Sequence, residues 1–169
     1  ELILQAIENV GYRPGEDIYI ALDAAASEWY DPETQSYHFK QSTGQRFSST
    51  ALIAFWEEWL QKYPILSLED AMAEDDWHGW QQLTSMVGHK VQLVGDDLFA
   101  TNVGRLQRGI ATQAANAILI KMNQVGTLTE TIAAVRLAQQ TAYNRIITNR
   151  SADTADTTVA DLAKAIKAG

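Results

Sequence analysis

The strongest constraint on the fold is a regular alternation of apolar, strand-like runs with amphipathic, helix-like segments. A polar residue ends each of five successive apolar runs, and these residues are Asp23, Glu69, Asp96, Lys121 and Asn149. The last three intervals between them are 27, 25 and 28 residues, whereas the first is 46 residues. Repeated units of this kind are typical of parallel strands joined by crossover helices. The sequence therefore predicts an α/β fold, either a (β/α) barrel or a doubly wound sheet.

The predicted elements account for most of the chain. After a first amphipathic helix, we expect strands at 17–23, 65–70, 91–96, 117–121 and 145–149, and helices at 48–63, 76–87, 102–115, 127–142 and 157–168. A polar insertion after the first strand explains the long first interval, and we expect it to form a hairpin that turns at 31–34. Thr127, with Glu130 three residues later, predicts a capping box at the start of helix 127–142.

Five such units are too few to close an eight-stranded barrel. We therefore expect residues 1–169 to form a single partial domain, an incomplete (β/α) barrel with a hairpin insertion after its first strand. The chain opens on Glu1, inside a helix-like segment, instead of on Met. This start indicates a fragment or a processed chain, with the barrel completed by segments outside 1–169.

Composition and charge narrow the possible functions. The chain has 169 residues, 46% of them hydrophobic, and this is enough for one substantial core. Its net charge of −8 argues against nucleic-acid and membrane partners, since both are anionic. The chain contains no cysteine, which excludes disulfides and thiolate metal sites. Because no apolar stretch or signal-peptide pattern suggests a membrane or secretory route, we expect a cytoplasmic protein.

The residues that end the strands are candidates for a functional site. In a barrel, the carboxyl ends of the strands open onto one face, so Asp23, Glu69 and Asp96 would converge beside Lys121. Three carboxylates without cysteine or histidine suit a hard divalent cation, most naturally Mg²⁺. The alternatives are that the acidic residues only cap the following helices and that Lys121 extends to water, because a buried ammonium is costly. Four such residues in register favour a functional site.

Four segments resemble a known family. They read "IALDAAASEWY" (20–30), "YPILSLEDAMAEDDW" (63–77), "VQLVGDDLFATN" (91–102) and "ILIKMNQVGTLTET" (118–131). Together they resemble the catalytic barrel domain of enolase, the phosphopyruvate hydratase, and the likeness extends over about 18–169. The combination of the last two blocks is highly specific for that family.

The resemblance implies an Mg²⁺-dependent lyase that converts 2-phosphoglycerate to phosphoenolpyruvate. By analogy, Asp23, Glu69 and Asp96 are the Mg²⁺ ligands, and Lys121 is the base that removes the proton from carbon 2. A lysine or histidine base together with Mg²⁺ is the general arrangement of enolase-superfamily sites. A lysine acts as a base only after it has lost its own proton, which desolvation and nearby positive charge favour.

One segment departs from the family pattern. Where enolases read Ser-His-Arg-Ser-Gly-Glu-Thr-Glu-Asp, this chain reads "TNRSADTAD" at 148–156. Arg150 and Ser151 resemble the residues that hold the substrate phosphate, and arginine suits bidentate phosphate contacts. Asn149, however, stands in place of the histidine, and Ala155 replaces a glutamate. The resemblance thus implies substrate contacts at Asn149, Arg150 and Ser151 in an altered setting.

Two functional hypotheses follow. In the first, the chain is the barrel segment of an enolase, which acts on a small phosphorylated substrate only in the complete protein. In the second, it is a catalytically inactive, enolase-derived module that serves as a binding or structural subunit. In this chain by itself we expect Mg²⁺ binding to be weak or lost. Under either hypothesis we expect a homo-oligomer or a part of a larger assembly.

Overall fold

The fold alternates strands with helices, as the sequence predicts. A computed structural model describes residues 1–151 and 153–167. The strands are β1 (Ile20–Asp23), β2 (Tyr30–Asp31), β3 (Ser36–His38), β4 (Arg46–Phe47), β5 (Ile65–Glu69), β6 (Gln92–Gly95), β7 (Ala117–Ile120) and β8 (Asn144–Ile147). The helices are α1 (Leu2–Asn9), α2 (Ser49–Lys62), α3 (Trp77–Val87), α4 (Val103–Thr112), α5 (Met122–Val125), α6 (Leu128–Gln140) and α7 (Thr158–Ala165), with a 3-10 turn at Ala26–Trp29. No helix among these residues is both long and apolar enough to cross a membrane.

Five parallel strands form the main sheet, in the order β1, β5, β6, β7, β8. This order follows the chain without the reversal that marks a doubly wound sheet, so the arrangement is a barrel wall. Within the described residues β1 and β8 are the edge strands, and the sheet is not closed. The expectation of an incomplete α/β barrel with five strand units is therefore confirmed.

Helices cover one face of the sheet and enclose the core. Leu68, Leu93, Ile118 and Ile120 project from the strands into this layer and are wholly buried. Helices α2 and α3 pack against each other, and so do α4 and α6. A smaller cluster of Val94, Ala117 and Leu119, with Ile146 beside it, covers the other face. The sheet therefore has apolar side chains on both faces, as expected of parallel strands in a barrel.

Two buried tryptophans hold the loop that follows β5. Trp56 donates its indole N–H to the carbonyl of Ala71 at 2.9 Å, and Trp80 donates to the carbonyl of Ala73 at 3.1 Å. Each indole thus satisfies a polar group that burial would otherwise leave unpaired. The loop is consequently fixed between α2 and α3 directly after the residues that end β5.

The predicted hairpin insertion forms a small antiparallel sheet. Strands β2 and β3 pair around the turn at 32–35, and β4 adds a third strand that the sequence did not predict. Tyr37, at the centre of β3, is wholly buried. Its hydroxyl donates to Asp76 Oδ2 at 2.8 Å and accepts from the backbone N–H of Ala73 at 3.0 Å. The insertion is therefore joined to the loop after β5.

Phe99 lies between two glycines in the layer behind β6. Its ring is wholly buried, and a Cβ built on Gly95 would lie 2.6 Å from Cδ2 of the ring. A Cβ built on Gly109, in α4, would lie 2.8 Å from the ring Cζ. Since real Cβ atoms essentially never come this close to another heavy atom, both glycines are required by the space that Phe99 fills.

The predicted helices and strands differ from the observed ones mainly in the residues at which they begin and end. The first strand begins at Ile20 instead of residue 17, and helix 102–115 ends at Thr112. Residues 122–125, expected as part of a turn, form the short helix α5. Thr127 caps α6 as predicted, but the Glu130 carboxylate accepts from the Thr127 hydroxyl at 2.5 Å and not from its backbone N–H. Residue 168, at the predicted end of the last helix, lies outside the described residues.

Candidate active site at the carboxyl ends of the strands

The sheet brings four of the predicted site residues to one edge. Asp23 ends β1 and pairs in register with Glu69, which ends β5. Asp96 and Lys121 directly follow β6 and β7, respectively. Because the strands are parallel and neighbours in this order, the four side chains project from adjacent positions along the carboxyl edge.

Carboxylates are crowded at this edge. Carboxylate oxygens of Asp23, Glu69 and Asp70 all lie within 4.8 Å of one another. Oxygens of Asp70, Asp96 and Asp97 form a second such group. Asp70 belongs to both groups, so the structure links the three predicted ligands through a carboxylate that the sequence did not single out. We call these five residues the acidic cluster.

Lys121 points into the acidic cluster instead of towards water. Its ammonium donates a hydrogen bond to Oδ2 of Asp96. The side chain of Lys121 is only 17% exposed to solvent, and that of Asp96 only 11%. The alternative that Lys121 extends into solvent is therefore wrong, because its ammonium lies against Asp96 and is mostly shielded from water.

The acidic residues at the strand ends do not serve as helix caps either. Asp76 caps α3 through the backbone N–H of Gly79, and Asn102 caps α4 through that of Arg105. Asp23 instead accepts from the backbone N–H of Ala25 at 3.0 Å, within a local turn. With separate residues doing the capping, the acidic residues at the strand ends need another explanation.

Asp70 organises the backbone around the cluster. It is 3% exposed, and its two oxygens accept from the backbone N–H groups of Asp96 at 3.0 Å and Asp97 at 2.9 Å. Its own φ is +43°, in the left-handed region that aspartate tolerates better than most residues. The signal available in the sequence was the pair of consecutive acidic residues after each of two strands, Glu69-Asp70 and Asp96-Asp97.

The electrostatics of the cluster disfavour full ionisation. Burial, followed by the charges of Asp23 and Asp96, raises the pKa of Glu69 to about 7, although Lys121 opposes the shift. Burial also raises the pKa of Asp70 to about 7, against the effect of the N–H donors. The pKa of Asp97 is raised for similar reasons, with burial first and Asp96 second. Simultaneous ionisation of all these carboxylates is therefore unfavourable, first because they are buried and second because they carry like charges.

The donor set fits a hard divalent cation. Carboxylate oxygens, which Mg²⁺ and Ca²⁺ prefer, are the only donors in the two groups that lie within 4.8 Å, with no softer ligand among them. Asp23 and Glu69 belong to one group and Asp96 to the other, and Asp70 is common to both. Both oxygens of Asp70 accept backbone hydrogen bonds. Those of Asp96 also accept, from Lys121 and Gln124, so hydrogen bonding does not separate the two carboxylates as ligands. Burial is the main cause of the raised pKa of Glu69, and the charges of Asp23 and Asp96, which a bound cation would offset, add to it.

The remaining predicted residues lie apart from the acidic cluster. Asn149, Arg150 and Ser151 follow β8 at the same edge of the sheet and are exposed. Asn149 lines a cavity of about 300 Å³ together with Asn123 and Asp153, which are hydrogen-bonded at 2.8 Å. Among the described residues, no hydrogen bond joins the side chain of Arg150 or Ser151 to the cluster. The structure thus brings together Asp23, Glu69, Asp96 and Lys121, but not these three.

Comparison with known protein families agrees with this geometry. The family model for "Enolase, C-terminal TIM barrel domain" matches residues 1–169. The match includes every strand of the parallel sheet and all the residues of the acidic cluster. The chain therefore belongs to the family of enolase C-terminal TIM barrel domains.

Proposed function

We propose that residues 1–169 are one partial barrel domain that carries the metal-binding and proton-accepting part of an enolase. The complete protein would dehydrate 2-phosphoglycerate to phosphoenolpyruvate with Mg²⁺ as cofactor. The observation that carries this proposal is the placement of Lys121 against Asp96, beside Glu69 and Asp23, at the carboxyl edge of the sheet.

In this proposal Asp23, Glu69 and Asp96 hold the metal ion. When bound, Mg²⁺ supplies positive charge that offsets the negative charge developing on the substrate carboxylate as the proton leaves carbon 2. Lys121 receives that proton at Nζ as the free amine, so its ammonium must first give up one proton before it can act as the base. The contact with Asp96 holds Nζ at the edge of the cluster. The low exposure of Lys121 keeps water away from the nitrogen.

The loop after β8 would complete the substrate site. Arg150 offers two parallel N–H donors to a phosphate group, and Ser151 offers a hydroxyl. Asn149 can hydrogen-bond a substrate oxygen through its amide, but it cannot exchange a proton near neutral pH as histidine does. We propose these three as substrate-binding residues.

The test is conversion of 2-phosphoglycerate by the full-length protein with Mg²⁺, followed by the absorbance of phosphoenolpyruvate. Lys121→Met should abolish product formation yet leave Mg²⁺ binding measurable by calorimetry. Asp96→Asn should weaken Mg²⁺ binding and activity together. Product formation that persists in Lys121→Met would refute the role of this residue as the base.

A second candidate function is that of an inactive module that binds a partner or supports an assembly. The observation in its favour is Asn149 in the position of the family's histidine, next to Asn123 and Asp153, which bond to each other. Failure of the full-length wild-type protein to form product, together with product formation by Asn149→His, would identify a site inactivated at this residue. Sedimentation of the full-length protein would test the expected homo-oligomer or larger assembly.

A further inference from the structure

The hydrogen bonds around Lys121 close into a ring of four residues. Lys121 donates from Nζ to Oδ2 of Asp96, and Gln124 donates from Nε2 to Oδ1 of the same carboxylate at 3.3 Å. The Oε1 atom of Gln124 accepts from the hydroxyl of Thr101 at 2.9 Å. That hydroxyl accepts in turn from the backbone N–H of Lys121 at 3.0 Å.

The direction of each hydrogen bond in the ring is determined by chemistry. A backbone N–H can only donate, so the Thr101 oxygen accepts from Lys121 and turns its own proton to Gln124. The Gln124 carbonyl oxygen must therefore face Thr101, which directs its amide N–H to Asp96. An ionised carboxylate only accepts, so this end of the ring is also matched. The amide of Gln124 fits its surroundings in this one orientation.

The ring joins three separate segments at the carboxyl edge. Asp96 and Thr101 belong to the connection between β6 and α4, Lys121 follows β7, and Gln124 lies in α5. Thr101 is wholly buried and has a φ of +54°, an unfavourable conformation for a β-branched residue. Backbone strain of this kind persists only where surrounding contacts maintain it. The ring supplies such contacts for Thr101.

From this ring we infer that Gln124 is a positioning residue, which orients the carboxylate of Asp96, and that Thr101 acts through Gln124. The inference rests on the proposed function, in which Asp96 is a metal ligand and Lys121 is the base. Lys121 holds Oδ2 of this carboxylate and the amide N–H of Gln124 holds Oδ1. The two contacts together fix the rotation of the carboxylate about the Cβ–Cγ bond. Neighbours that orient a ligand in this way typically contribute about 10- to 100-fold to metal affinity or activity.

The decisive variant is Gln124→Met, which keeps the length of the side chain and removes both of its hydrogen bonds. We expect its Mg²⁺ affinity, measured by calorimetry in the full-length protein, to fall about tenfold. We also expect kcat to fall by a similar factor while KM for 2-phosphoglycerate changes less, because no substrate contact is removed. Gln140→Met, at an exposed position near the end of α6, is the matched control and should leave both quantities unchanged.

A second pair of variants tests the role of Thr101. Thr101→Val keeps the branched shape and removes the hydroxyl, whereas Thr101→Ser keeps the hydroxyl. We expect Thr101→Val to weaken Mg²⁺ binding several-fold and Thr101→Ser to bind Mg²⁺ nearly as well as the wild-type protein. Loss of packing alone would not produce this difference, because valine keeps the shape of threonine better than serine does. The unfolding midpoint of each variant, measured alongside, separates loss of affinity from loss of fold.

The outcomes distinguish this inference from the proposed function. If the wild-type protein binds Mg²⁺ and Gln124→Met matches it in affinity and kcat, the inference is wrong and the proposed function stands. If the wild-type protein shows neither Mg²⁺ binding nor activity, the proposed function fails, and the inference fails with it.

Discussion

Lys121 and Asp96 form a largely buried ion pair that joins the ends of two neighbouring strands. The carboxylates of Glu69 and Asp23 lie on the far side of Asp96 along the sheet edge. The ammonium consequently offsets part of the charge that five carboxylates place in a small volume. This relationship makes the stability of the metal-free protein depend on a residue that we assign to chemistry.

Removing that ammonium should destabilise the metal-free fold. We expect Lys121→Met to lower the free energy of unfolding by about 3 kcal/mol, because Asp96 is left largely buried without its partner. Lys121→Arg keeps the charge and should cost less. Urea unfolding in the presence of EDTA measures both. Lys62→Met is the control, since its 3.8 Å ion pair with Glu1 is exposed and should change stability by less than about 0.5 kcal/mol.

Asp70 should matter more for the fold than its position beside Glu69 suggests. Asp70→Ala leaves the backbone N–H groups of Asp96 and Asp97 without their acceptor, and we expect a loss of about 2–4 kcal/mol. Asp70→Asn retains one acceptor oxygen and tolerates the positive φ, so its free energy of unfolding should fall clearly less. Denaturant unfolding distinguishes the two variants. Equal losses in both would show that the charge of Asp70, and not its hydrogen bonds, is what the fold requires.

The attachment of the hairpin insertion can be tested at Tyr37. Tyr37→Phe removes the hydroxyl that bonds Asp76 and the backbone N–H of Ala73 inside the core. We expect this substitution to lower the free energy of unfolding by about 1–3 kcal/mol. Tyr30→Phe is a suitable control, since Tyr30 packs against Tyr37 with ring centroids 4.9 Å apart but is less buried. Thermal unfolding of the two variants gives the comparison, and equal midpoints would contradict the prediction.

Stability at alkaline pH should depend on Tyr143. Burial raises the pKa of this phenol to about 12 in the folded protein, whereas an unfolded tyrosine titrates near 10. The unfolded chain therefore loses the proton first, so this contribution to stability is complete below pH 10 and is lost as the pH rises towards 12.

Tyr143→Phe should make the decline between pH 10 and 12 shallower. Burial also raises the pKa of Tyr37, so part of the decline should remain in this variant. The measurement is the urea midpoint at several pH values, with Tyr12→Phe as the exposed control. A decline as steep in Tyr143→Phe as in the wild-type protein would exclude Tyr143 as its source.

Most of the parallel sheet could be predicted from the sequence. Strands such as β7, whose four residues are all buried, are continuous apolar runs, and the intervening helices show their apolar periodicity plainly. The order of the strand ends along one edge then follows from barrel geometry alone. The same geometry places Lys121 beside the acidic residues, where the structure shows its contact with Asp96.

The missed features depend on structure that periodicity does not report. The helix α5 has four residues and β4 has two, which is too short for a pattern to emerge. The role of Asp70 depends on a left-handed backbone and on N–H groups 26 and 27 residues away. The ring through Thr101 and Gln124 likewise requires the relative positions of three segments, which only the folded structure supplies.

The position of Phe99 between Gly95 and Gly109 has a consequence for how such chains can change. An alanine at either glycine is incompatible with the aromatic ring, whereas a smaller residue at 99 would leave room for it. An alanine at either glycine should therefore be rejected while Phe99 is present and tolerated only together with a smaller residue at 99. Gly95→Ala together with Phe99→Leu would be a compensated pair, and variation at these positions should proceed through the loss of the ring before the loss of either glycine.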